Sequence, residues 1–175
     1  MVSSPEIWAK RFGTVALVNT VIGIIWLVFP IFVDTRIART IAGGSVGTWG
    51  YLGFLLFGLV GFAGFTGFAF LYYIIPKLTG GTVNNGLAWL HLILMEVGTL
   101  GATALLGLAG YIGGTTILQE TAKGTAAKDI PRIVHSNIAF VVEPIPTVAI
   151  FAGIAALGVL LGVIALFSAY RTKRA

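Results

Sequence analysis

Residues 87–112 read LAWLHLILMEVGTLGATALLGLAGYI. This run is longer than the roughly 20 apolar residues a helix needs to cross the hydrocarbon core of a bilayer. Only His91 and Glu96 within it ionise near neutral pH. The stretch therefore predicts a membrane-spanning helix with two polar side chains to explain. The rest of the chain is of the same kind: 57% of its residues are hydrophobic and 10% charged, where soluble domains carry about a quarter charged residues. An integral membrane protein is expected from composition alone.

Three further runs of spanning length lie at about residues 12–33, 49–75 and 147–170. Lys10 and Arg11 before the first imitate a signal peptide, but the run closes on Pro30 and the charged phrase VDTRIAR rather than on a cleavage site, so it reads as a retained helix. The link AGGSVGTWG leads to the second run, which closes at Pro76 and Lys77. TGGTVNNG, residues 79–86, carries the turn signals GG and NG, so the second and third helices are expected to be antiparallel neighbours. The expected fold class is all-α. It is a single transmembrane domain over residues 1–175, a four-helix bundle with antiparallel neighbours and one longer extramembrane loop, 115–146, between the third and fourth helices. The second half of that loop, IPRIVHSNIAFVVEPIP, mixes apolar and polar residues in a way that suits a membrane surface, a partner chain or a cap on the protein's own bundle.

The chain has no cysteine, which excludes disulfides, iron–sulfur clusters and thiolate-bound metals. Its net charge of +5 comes from residues in short loops and at the two ends, where they meet lipid headgroups rather than nucleic acid. Four crossings put both termini on one side, with Lys10, Arg11, Lys77, Arg171, Lys173 and Arg174. Arg36, Arg39, Lys123, Lys128 and Arg132 fall on the other. The basic tail beside the last helix predicts a multi-pass protein of the cell membrane with cytoplasmic termini.

Glycines recur at helical spacing. Gly58, Gly61, Gly64 and Gly67 stand at intervals of three on the second helix, Gly107, Gly110 and Gly113 on the third, and Gly158 and Gly162 on the fourth, after Gly153. Small residues of this kind let backbones approach closely inside a membrane, so they are expected to mark helix packing. Phe54, Phe57, Phe62, Phe65, Phe68 and Phe70 alternate with the first row, either as space-filling side chains or as the lining of a quinone or cofactor groove. Trp49, Tyr72, Tyr73 and Trp89 lie near helix ends, where an interfacial aromatic belt is expected.

His91 and Glu96 are five positions apart, about 140 degrees around a helix, and so are not expected to form one site. His91 lies near headgroup depth, within reach of water, Tyr72 or Tyr73. Glu96 is deeper, where a charge must face protein or a water cavity. It has three candidate roles: a protonated carboxyl bonded through Asn19, Thr66 or Thr99; an ion pair with a partner subunit; or a proton relay. Asn19 is the expected internal partner on depth.

Several phrases resemble subunit I of the heme-copper oxidases. FLYYIIPKLTGG (70–81) looks like the end of one of that family's core helices, LAWLHLILMEVG (87–98) like the opening of the next, and LLGLAG (105–110) like the phrase that ends it. The likeness covers about residues 50–170. The family's low-spin heme is held by histidines placed, by the resemblance, around Phe54 to Leu56, where this chain has none. An arginine pair that grips the heme propionates is replaced by Gly113 and Gly114. His91 and His135, the only histidines, match none of the ligand positions.

The resemblance therefore implies a piece of the scaffold without its redox centres: not an enzyme by itself, with no catalytic residue, metal or resident cofactor beyond lipid. The expected function is a non-catalytic accessory subunit of a multi-subunit membrane oxidoreductase. Its partners would be other integral membrane subunits and lipids, the host a respiratory terminal oxidase or else a copper-dependent membrane monooxygenase. The alternatives are a b-type heme or quinone carrier using His91 or His135, and a small transporter or proton conductor centred on Glu96.

Overall fold

The computed structural model describes residues 5–28, 32, 35–42, 44–143 and 146–171. Pro30, Asp34, Lys173 and Arg174 lie outside them. The described elements are helical: α1 (Pro5–Val28), α2 (Thr35–Ala42), a 3-10 turn (Ser45–Gly47), α3 (Thr48–Leu56), a π-helical stretch (Phe57–Gly64), α4 (Phe65–Thr79), α5 (Asn85–Ala122), α6 (Ile130–Asn137), α7 (Ala139–Val142) and α8 (Thr147–Arg171). No strand occurs among the described residues. Four helical spans, Glu6–Val28, Ser45–Thr79, Asn85–Ala122 and Thr147–Arg171, are long and apolar enough to cross a membrane.

The second and third spans are joined by residues 80–84. Gly80 closes α4 in the left-handed region at φ 68°, a conformation open to glycine at no steric cost. Asn84 opens α5, its side-chain oxygen accepting from the Leu87 N–H at 3.1 Å, which satisfies one of the free donors of a helix start.

Two boundaries differ from expectation. α1 begins at Pro5 rather than near residue 12. Trp8 is buried and donates from Nε1 to Asn85 Oδ1 at 2.8 Å, while the Arg11 guanidinium lies over the rings of Trp8 and Trp89, 4.5 and 4.4 Å from their centroids. A cation held on aromatic faces stays compatible with the start of a spanning helix.

α5 in turn runs to Ala122 rather than ending near 112. Gly113 and Gly114 do not break it, because both lie against neighbours: a Cβ on Gly113 would stand 2.4 Å from Val46 Cγ1, and one on Gly114 2.7 Å from Thr40 Cβ. Thr115 and Thr116 bond back to the carbonyls of Tyr111 and Ile112 at 2.7 and 2.8 Å, so their hydroxyls are satisfied within the helix. At 1.5 Å per residue α5 is about 57 Å long, well beyond a hydrocarbon core of about 30 Å. The segment expected as a loop over 115–146 is thus largely helical: the end of α5, then α6 and α7 folded back on it. Asn137 Nδ2 donates to Thr116 Oγ1 at 3.1 Å and ties α6 to that end.

Glycine contacts decide how the helices meet. Between α5 and α8, a Cβ on Gly98 would stand 2.3 Å from Ala155 N, one on Gly158 2.6 Å from Met95 N, and one on Gly162 2.2 Å from the His91 ring. Between α3 and α5, a Cβ on Gly110 would lie 2.2 Å from Gly50 N, and on the α1 side Gly107 sits under Trp26, at 2.7 Å.

The row on the second span behaves otherwise. Gly61 and Gly64 face Phe57 and Met95, but Gly58 and Gly67 have nothing within 4 Å, and neither does Gly153. Steps of three residues turn the row by roughly 60 degrees each. It therefore sweeps across the inner face and leaves it at both ends, instead of forming one groove.

Two cores result. One, around Trp8, Phe12, Phe65, Tyr72, Met95 and Leu166, lies at the end where α5 begins. The other, Ala109, Val134, Ile138 and Val141, lies where α5 overshoots.

Candidate functional site

The polar interior of the first core is built by α1, the π-helical stretch and α5. The structure brings Asn19 and Glu96 together: Asn19 Nδ2 donates to Glu96 Oε2 at 3.0 Å and to the Gly61 carbonyl at 2.9 Å. Gly61 belongs to the π-helical stretch, where the widened turn and the missing side chain open the backbone to a group from α1; such stretches are frequent at functional sites. Asn19 is 1% exposed. Thr66, another expected partner, bonds instead to the Phe62 carbonyl of its own helix at 2.8 Å. Thr99 Oγ1 and Asn19 Oδ1 are buried without a hydrogen-bond partner among the described residues. No basic side chain is paired with Glu96 among the described residues; the carboxyl is bound there by an amide.

His91 stands apart from that pair and is closed off from the protein's surface. It is fully buried, with Nδ1 3.1 Å from the Tyr72 hydroxyl, its ring 4.7 Å from Phe12 and 4.2 Å from Phe68, and Gly162 beneath it. Of the expected contacts, the ring meets Tyr72 rather than open water, because α1 extends back to Pro5 and Phe12 packs over it. Tyr72 is 0% exposed, covered by Trp8 and Phe12 of α1. Tyr73 turns outward and binds Lys77, and Trp89 also remains exposed.

His135 lies on α6, beyond the other end of α5. Its Nε2 is 2.5 Å from Glu143 Oε1, with both side chains more than half exposed. Beside it is a cavity of about 400 Å³ between the 3-10 turn, α5, α6 and α7. His91 and His135 are thus placed near opposite ends of α5 and cannot share a ligand.

The aromatic row on the second span likewise fails to make a groove. Phe57 and Phe65 are buried, whereas Phe62 and Phe70 face outward at 46 and 62% exposure. The inward rings pack on one another and on α1, with Phe12 and Phe65 centroids 5.7 Å apart.

The residues present do not fit a heme-copper centre. The positions the resemblance assigns to the heme ligands hold Phe54, Leu55 and Leu56, and Phe54 packs edge-on against Trp26 at 6.3 Å. An arginine pair at 113 and 114 would be excluded by Val46 and Thr40. Among the described residues no three His, Cys, Asp or Glu side chains are grouped so as to hold a metal. Sequence reasoning also passed over Trp8, Trp26 and Ser45. Trp8 and Trp26 carried a signal, since each is a large aromatic facing a later glycine or tryptophan, but pairing them requires knowing which helices adjoin.

Comparison of the chain with protein-family models, with known proteins and with solved structures finds no match.

Proposed function

We propose that this chain is a non-catalytic accessory subunit of a multi-subunit membrane oxidoreductase, of the respiratory terminal-oxidase type, in which four antiparallel spans form a bundle in the cell membrane with both termini in the cytoplasm. The observation that carries the reading is the filling of the donor positions. Where the scaffold it resembles places metal-binding nitrogens, this chain has Phe54, Leu55 and Leu56, and where that scaffold grips propionates, Gly113 and Gly114 are closed by side-chain packing.

Surfaces for a neighbouring span support it as well. Gly58 and Gly67 face outward with open space over them, beside Phe62 and Phe70. Lipid provides no hydrophobic drive for helix association, so open small residues beside large ones are suited to a helix from another chain. A fold hosts many functions, and the subunit role is the reading we draw from a scaffold whose donor positions hold other side chains.

The visible absorption spectrum of the purified full chain tests the non-catalytic half of the proposal. The expected spectrum has no Soret band after reconstitution with heme. A Soret band stoichiometric with the chain, and lost on replacing His91 or His135, would overturn it.

A further inference from the structure

The cavity at the far end of α5 carries an inference beyond the subunit reading, and one that stands whichever complex the chain joins. Its volume, about 400 Å³, lies within the range of small-molecule sites. Its walls are mainly aliphatic, with Ile117 from α5, Val134 from α6 and Ile138 beyond it, and one aromatic face, Trp49. Only two hydrogen-bonding side chains with hydroxyl or imidazole groups join them, Ser45 and His135.

Each of those two is held in an unusual way. Ser45 has φ 53°, the one positive φ on a non-glycine residue among the described residues. Strain of this kind persists where the surroundings over-determine the backbone; here the Ser45 carbonyl accepts from Thr48 Oγ1 at 2.7 Å, which holds the turn that sets Ser45 at the cavity wall. His135 is held by Glu143 through Nε2, which leaves Nδ1 as the nitrogen for a ligand, an acceptor in the neutral ring and a donor in the protonated one.

The lining contains no Lys, Arg, Asp or Glu. Arg132, on the same helix as Val134, is exposed and about 160 degrees from it around α6. An anionic headgroup therefore has no cation to meet inside. A neutral ring with two oxygens, one to bond the imidazole nitrogen as carbonyl acceptor or hydroxyl donor and one to bond the hydroxyl, has both partners and an aromatic face for its plane. We propose that this cavity binds the ring of a membrane quinone in its quinone or quinol form, with His135 and Ser45 bonded to the ring oxygens and the isoprenoid tail leaving toward the bilayer.

The test uses the full chain in phosphatidylcholine nanodiscs titrated with decylubiquinone, read by tryptophan fluorescence. Saturable one-to-one quenching is expected, with the response lost in Trp49→Phe while the remaining tryptophans still emit. His135→Ala is expected to weaken binding about tenfold, the scale of one lost hydrogen bond to a held group. Ala127→Phe, at an exposed position on the cavity wall, should abolish binding without touching the core. Quenching that never saturates, or equal affinity in His135→Ala and Ala127→Phe, would overturn the proposal. So would displacement of the quinone by phosphatidylglycerol at matching concentration, which would make the cavity an acyl-chain site. None of these outcomes depends on whether the chain copurifies with redox subunits.

Discussion

Asn19 acts on three elements at once, because its amide nitrogen reaches both the Gly61 carbonyl and the Glu96 carboxyl. Interhelical hydrogen bonds in membrane proteins contribute about 0.6 kcal/mol on average, and leaving a buried acceptor unpaired costs about 1–3 kcal/mol. Asn19→Leu is therefore expected to lower stability by about 2 kcal/mol, measured by unfolding in mixed detergent micelles. Glu96→Gln keeps an oxygen to accept from Asn19 and should change stability by less than about 0.5 kcal/mol. A larger loss in Glu96→Gln than in Asn19→Leu would show that the carboxyl has a partner other than the amide. The same reasoning applies to His91. Tyr72→Phe removes the only hydrogen-bond partner, among the described residues, of a fully buried imidazole and should cost about 1–2 kcal/mol; a neutral result would mean that the aromatic cage alone fixes the ring.

At the level of helices, the glycines divide by what a methyl group would meet. Gly162→Ala drives a carbon into the His91 ring and Gly98→Ala into the backbone of α8, and overpacking of this kind costs about 1–3 kcal/mol. Gly67→Ala meets nothing within 4 Å and replaces the weakest ordinary helix former by the best, so it should be neutral or stabilising by up to about 1 kcal/mol in the isolated chain. Equal losses at Gly67 and Gly162 would contradict the packing described. The sequence already contained the four spans, since runs of apolar residues broken by GG, NG and Pro carry their own length and ends. It also offered Asn19 as a partner of Glu96, because depth within a span can be counted, while the contact itself depends on rotation. Rotation cannot be counted in that way: which of Gly58, Gly61, Gly64 and Gly67 faces inward depends on the π-helical stretch, and nothing in GLVGFAG announces the change of pitch. The helical end of α5 was hidden for a related reason. Gly113 and Gly114 read as a stop, and only the presence of Thr40 and Val46 against them shows why they continue the helix. Trp49 is expected only in the aromatic belt and Ser45 carries no signal within its link; their place beside His135 follows from the return of α6 across α5.

For the whole molecule, the absence of cysteine makes topology directly measurable. Leu78, exposed in the last turn of the second span, and Ala126, exposed beyond the end of α5, fall on opposite sides if the four spans each cross the membrane. With cytoplasmic termini, a membrane-impermeant maleimide should label Ala126→Cys in intact cells and Leu78→Cys only after permeabilisation; the reverse pattern would invert the orientation. The subunit role itself is decided by what surrounds the chain in its own membrane. Extraction in mild detergent, native electrophoresis and mass spectrometry of the band should find this chain comigrating in fixed ratio with heme- or copper-bearing subunits. A monodisperse band holding this chain alone would contradict the proposal.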